Sequence, residues 1–121
     1  MRPFGELEAD VMDRIWSLGH GCTVREMREE LNQDRSLAYT TVMTVMDNLH
    51  KKGWLRRESQ GRAYVYEPVL GREEYSARIM NEALSGSADP HATLLHFVEQ
   101  MPPEDALELR TLLQQLSRRK R

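Results

Sequence analysis

Ala38-Tyr39-Thr40-Thr41-Val42-Met43-Thr44-Val45-Met46-Asp47-Asn48-Leu49-His50-Lys51-Lys52-Gly53 is the stretch on which the reading of this chain turns. Val42, Val45, Met46 and Leu49 stand at i, i+3, i+4 and i+7, the spacing that gathers apolar side chains on one face of a helix. At about 100° per residue, Thr40, Thr44, Asp47 and Lys51 fall on the opposite face, with Met43 and Asn48 at its flanks. A helix from roughly Ala38 to Lys52 is expected, with Gly53 as its stop. Threonine has only mediocre helix propensity, so Thr40, Thr41 and Thr44 together on a helix call for a purpose other than helix stability. Their hydroxyls and methyls suit phosphate oxygens and thymine methyl groups.

Downstream lie two short β-like runs. Trp54-Leu55-Arg56-Arg57-Glu58 leads through Ser59-Gln60-Gly61-Arg62 into Ala63-Tyr64-Val65-Tyr66-Glu67, rich in aromatic and β-branched residues. Two such runs around a glycine-containing turn read as a β-hairpin, and Pro68, with no N–H to donate, should end the second strand. Tyr64 and Tyr66 share a strand face and are expected to pack on the core. Upstream, Thr23-Val24-Arg25-Glu26 is a capping-box pattern opening a short helix with Val24, Met27 and Leu31 on its apolar face. Asn32-Gln33-Asp34-Arg35-Ser36 is turn-forming. Before it, Leu7, Val11, Ile15 and Leu18 recur at helical spacing beside Met12 and Trp16, until Gly19 and Gly21 stop the helix. Three helices followed by a hairpin is the winged helix-turn-helix plan. In that plan the third helix enters the major groove, where base edges show a distinct donor–acceptor pattern, and the hairpin is the wing.

After Gly71 the pattern is purely helical. Tyr75, Ile79 and Ala83 mark one helix, stopped by Ser85-Gly86-Ser87; Leu94, Leu95, Phe97 and Val98 mark a second. Pro102-Pro103-Glu104-Asp105 is a strong helix start, with proline in the first turn and acids at the positive end of the dipole. Leu109, Leu112, Leu113 and Leu116 then repeat at i, i+3, i+4 and i+7. The leucine stripe fits an intrachain core, but a helical segment of about 50 residues is small for burying its own apolar surface, and a partner chain is the simpler cover. The expected fold is mainly α with a small β-hairpin: a winged helix-turn-helix domain over residues 1–70, then a helical dimerisation region over residues 71–121. The dimerisation face is assigned to Tyr75, Ile79, Leu94, Leu95, Phe97, Val98, Leu109, Leu112, Leu113 and Leu116.

Charge is distributed unevenly. The chain carries a net −2, yet Arg35 to Tyr66 holds six basic residues against two acids, a local +4, and the first 34 residues hold four against eight, a local −4. A basic stretch in a near-neutral chain fits a DNA-facing surface or a solvated face. Cys22 is the single cysteine, which excludes an intrachain disulfide and a cysteine-rich metal cage. His20, His50, His91 and His96 show no metal-ligand spacing, and no nucleophile–base constellation or glycine-rich phosphate loop is present. No metal, no cofactor and no enzymatic activity are expected. No apolar run approaches the ~20 residues of a membrane span, and the start of the chain has no apolar signal region. A cytoplasmic location without membrane insertion is therefore expected.

The residues also resemble a known family. Gly5-Glu6-Leu7-Glu8 into Val11-Met12 and Ile15-Trp16 look like the first helix of the penicillinase-repressor (BlaI/MecI) family. Ala38 to Val45 resembles its recognition helix, and Leu49-His50-Lys51-Lys52-Gly53 the end of that helix. Arg62-Ala63-Tyr64-Val65-Tyr66-Glu67-Pro68 resembles its wing, and Leu94-Leu95-His96-Phe97-Val98-Glu99 a helix of its dimerisation arm. The resemblance implies a homodimer that represses by occupying a dyad-symmetric double-stranded operator. It also implies a role in antibiotic response, with derepression triggered by a membrane-bound sensor protease that cuts the C-terminal arm. The counterpart of the scissile bond is His96–Phe97. Better-known members carry a basic residue where this chain has Met43, so base contacts differ, and asparagine where it has His96. The cysteine-rich C-terminal hook of copper-responsive relatives is absent. DNA contact is assigned to Thr40, Thr41, Met43, Thr44, Asn48, Lys51, Arg57 and Arg62. The alternative is a MarR-like winged-helix regulator that answers to a small ligand.

Overall fold

The computed structural model describes residues 4–120. Its elements are α1 (Glu6–Leu18), α2 (Val24–Leu31), α3 (Tyr39–Lys51), β1 (Leu55–Gln60), β2 (Ala63–Pro68), α4 (Arg72–Ser85), α5 (Pro90–Glu99) and α6 (Pro103–Arg119). The fold is mainly α with one two-stranded antiparallel sheet, a winged helix followed by a helical C-terminal region.

Three helices and the hairpin enclose one core. Val11, Met12 and Ile15 come from α1, Val24, Met27 and Leu31 from α2, and Val42, Met46 and Leu49 from α3. Leu55, Tyr66 and Cys22 complete it. Val45, the remaining member of the α3 stripe, lies half-buried at its margin. Burying each aliphatic side chain of this size contributes about 1.5–3 kcal/mol, so nine of them are enough to fix the angles of three short helices.

Local chemistry sets the helix ends. At the start of α2 the Glu26 N–H donates to Thr23 Oγ1 at 3.1 Å, and the Thr23 N–H donates to Glu26 Oε1 at 2.9 Å, the reciprocal capping box. The end of α3 is a Schellman motif. The Trp54 N–H donates to the Leu49 carbonyl at 2.9 Å and the Gly53 N–H to that of His50 at 3.0 Å. Gly53 takes φ +87°, a conformation that L side chains rarely adopt. Leu49 and Trp54, the pair that packs across such a motif, are both buried.

The chain separates into two compact units, one ending at Ile79 and the other beginning at Met80. The sequence pattern alone divides the chain after Leu70. The first turns of α4 lie in the first unit because the Tyr75 ring stacks on Phe4 at 4.9 Å and faces Trp16 and Trp54 at 5.2 and 5.3 Å. The Trp16 indole N–H donates to the Leu70 carbonyl at 2.9 Å, which pins the connection. Tyr75, assigned to the dimerisation face, is half-buried in this aromatic cluster of its own chain.

In the second unit α5 is capped by Asp89, whose Oδ1 accepts from the Ala92 N–H at 3.1 Å. Neither α5 nor α6 buries any residue. No helix among the described residues is long and apolar enough to cross a membrane.

Candidate nucleic-acid interface

The site is built on α3 because its opposite face is locked into the core. With Val42, Met46 and Leu49 fully buried, helical geometry turns Thr40, Thr41, Met43, Thr44, Asn48 and Lys51 outward, and all six are exposed. Thr44 Oγ1 donates to the Thr40 carbonyl at 2.9 Å. That back-bond spends the hydroxyl hydrogen and leaves the methyl and the oxygen lone pairs as what Thr44 can offer a ligand. No side chain caps the α3 N-terminus, and no acid stands in its first turn.

The approach to α3 is held by a residue that sequence had shown only as part of a polar turn. Asn32 Oδ1 accepts from the Leu37 N–H at 2.8 Å, and its Nδ2 donates to the Leu37 carbonyl at 3.2 Å. Arg28 Nε donates to the same carbonyl at 2.9 Å. These bonds fix the α2–α3 turn and with it the angle at which α3 is presented. Nothing in the spacing of Asn32 and Leu37 signals the bond, which depends on the path of the turn.

The wing is a regular hairpin with Gln60 opposite Ala63 and Leu55 opposite Pro68. The turn is therefore Gly61-Arg62, with Gly61 at φ +63°, as the first position of a tight hairpin turn requires. Arg62 stands exposed at the tip. The root of β2 is tied to the α1–α2 connection by reciprocal backbone bonds between Cys22 and Tyr66, 3.0 and 2.8 Å. Tyr66 packs in the core as expected; Tyr64, on the same strand face, is exposed with the Arg57 guanidinium 4.2 Å from its ring centroid.

Most of the local positive charge is partnered within the chain. Lys52 reaches Glu8 of α1 at 2.9 Å, and Arg56 reaches Glu67 across the hairpin at 3.1 Å. Arg35 pairs with Asp10 at 3.0 Å. Lys51 and Arg57 share Asp47, at 3.0 and 2.9 Å. Of the six cations from Arg35 to Arg62, only Arg62 forms no ion pair with the described residues. A solvent-facing pair such as Arg56–Glu67 is worth little and exchanges readily; the Lys52–Glu8 pair, with its carboxylate largely covered, and the half-buried Arg57–Asp47 pair are the more structural ones. Burial works against the Glu8 charge, but the Gly5 N–H and Lys52 together hold its carboxyl below its ordinary value.

Cys22 is fully buried, and that burial, with Glu26 and Glu30 nearby, pushes its thiol up to about 12. It is a small core residue rather than a reactive thiolate.

A family model for the penicillinase repressor matches residues 4–115. The chain belongs to the penicillinase repressor family. This family member is a winged-helix transcriptional repressor and not an enzyme. It is 44% identical over 115 residues to the transcriptional regulator BlaI of Mycobacterium tuberculosis, covering 93% of this chain and 83% of that one. It is 28% identical over 122 residues to the penicillinase repressor of Bacillus licheniformis, covering 96% and 93%. Among solved structures it resembles the monomeric form of B. licheniformis BlaI in complex with the blaP half-operator, with a TM-score of 0.51, 28% identity, and coverage of 61% of this chain and 89% of that one.

Proposed function

We propose that this repressor acts in the cytoplasm as a homodimer on a dyad-symmetric operator, reading bases with α3 and engaging phosphate or the minor groove with the wing. The observation that carries this reading is the exposed Thr40, Thr41, Met43, Thr44, Asn48 and Lys51 surface of α3, followed by a wing tipped with Arg62. It is supported by the half-operator complex of the B. licheniformis relative. The dimer reading rests on the second unit. Leu94, Leu95, Phe97, Val98, Leu112, Leu113 and Leu116 are all at least 40% exposed in the single chain, far more apolar surface than two short helices leave to water without a partner.

Derepression is proposed to follow cleavage of the His96–Phe97 bond by a membrane-bound sensor protease. His96 is exposed on α5, but the bond lies inside an intact helix, with the His96 carbonyl accepting from the Gln100 N–H at 3.2 Å. A protease needs an extended strand of substrate, so cutting requires local opening of α5. A small-ligand switch is the second reading, favoured by a groove of about 470 Å³ walled by Met80, Leu84, Leu94 and Phe97. Mass spectrometry of the protein from induced cells separates the two. A fragment ending at His96 supports cleavage; full-length protein under complete derepression excludes it. The DNA-binding reading is tested by footprinting across the genome with the purified chain, which should protect discrete promoter sites; uniform weak protection would overturn it.

A further inference from the structure

Asp47 is the single acid of α3, and it sits on the face offered to DNA. A carboxylate there repels phosphate whatever the base sequence, so it costs affinity for all DNA. Its geometry points to a compensating role. Oδ1 accepts from Arg57 Nη1 at 2.9 Å, and Oδ2 faces Lys51 Nζ at 3.0 Å. The Arg57 guanidinium, gripped at one edge by Asp47, lies 4.2 Å over the Tyr64 ring. One carboxylate thus joins a cation of α3 to a cation of β1, and Tyr64 of β2 closes the stack.

We propose that Asp47 is a specificity-setting positioning residue, which holds Arg57 of the wing and Lys51 of α3 in register and lowers the attraction of the interface for non-target DNA. The proposal rests on the DNA-binding reading above. A guanidinium held between a carboxylate and a ring has few orientations left, so it meets a correctly placed phosphate or base at small entropic cost and a misplaced one poorly. Lys51 and Arg57 in turn hold the Asp47 carboxyl below its ordinary value. Beside Arg57, the Tyr66 hydroxyl and Asp47 both favour its charged form.

The test uses the full chain and a duplex enriched by it from a randomised library, with a random-sequence duplex of equal length as reference. Asp47→Asn should bind the random duplex at least as tightly as the unsubstituted chain, and the enriched duplex about tenfold more weakly. Arg57→Gln should lose the same discrimination, and the double variant should discriminate no worse than Arg57→Gln alone, because the two residues act as a unit. Equal tightening on both duplexes would make Asp47 a mere negative charge and overturn the proposal, as would no change on either. If Asp47→Asn lowers the melting temperature markedly, Arg57→Lys decides. It keeps the charge but loses the planar guanidinium held between Asp47 and the Tyr64 ring, and unchanged discrimination would overturn the proposal. If no duplex is enriched at all, the DNA-binding reading fails and the proposal falls with it; enrichment with unchanged discrimination overturns the proposal alone.

Discussion

Thr44 shows how one hydrogen bond changes the chemistry a residue can present. Because its hydroxyl donates to the Thr40 carbonyl, the exposed Thr44 has a methyl and an acceptor oxygen to offer but no donor, a set that fits a thymine methyl better than a phosphate. Thr44→Ala is expected to weaken binding to the enriched duplex by about 1–3 kcal/mol, with little change on random DNA. Thr44→Val, which keeps a methyl at that place, should recover most of the loss, and Thr44→Ser should not. Titration of the three variants on both duplexes checks this. Equal losses on specific and random DNA would mean that Thr44 only supports the backbone of α3.

At the scale of elements, the capping box makes an acid-sensitive start to α2, the helix that precedes α3. The Thr23 N–H bond, with the Thr23 side chain, holds the Glu26 carboxyl below its ordinary value of 4.5. A depressed carboxyl contributes stability that is fully present above the unfolded value and is lost as pH falls through the folded one. Glu26→Gln should therefore flatten the loss of stability below about pH 5, read as melting temperature against pH. An unchanged acid limb would show that the bond carries no net stability. This helix start was legible in Thr23-Val24-Arg25-Glu26, as the α3 stripe was in Val42, Met46 and Leu49, because both are set within one helical turn or two. The wing was legible in Gly61 and the aromatic run Tyr64–Tyr66. What sequence could not show was which distant group meets each cation. Lys52 and Glu8 are 44 residues apart, and only the packing of α3 on α1 brings them together. The Asp47–Lys51 spacing of four residues on one helix did carry a signal, while Arg57 joins them only once the hairpin folds back beside α3. The surroundings of Tyr75 were hidden for the same reason. Helical period shows that Tyr75, Ile79 and Ala83 share a face, but not that Phe4, Trp16 and Trp54 wait to cover its first member.

At the scale of the whole molecule, the proposal divides the labour between a unit that reads DNA and a unit that pairs chains. Each winged unit alone presents one α3 and one wing, enough for one half-site. Joining two raises affinity by making the second contact intramolecular. Ending the chain before Pro102 removes α6 and its exposed Leu112, Leu113 and Leu116. The shortened protein is expected to keep the helical signature of a folded winged unit, to sediment as a monomer, and to lose most of its operator affinity. A shortened protein that still sediments as a dimer would place the interface elsewhere. The most direct test of the account is the sequence of the duplexes that the full chain enriches from a randomised library. The account predicts a dyad of two inverted half-sites whose centres lie about one helical turn, roughly 10 base pairs, or a multiple of it apart. Enrichment of isolated half-sites with no inverted partner, or no enrichment at all, would contradict it.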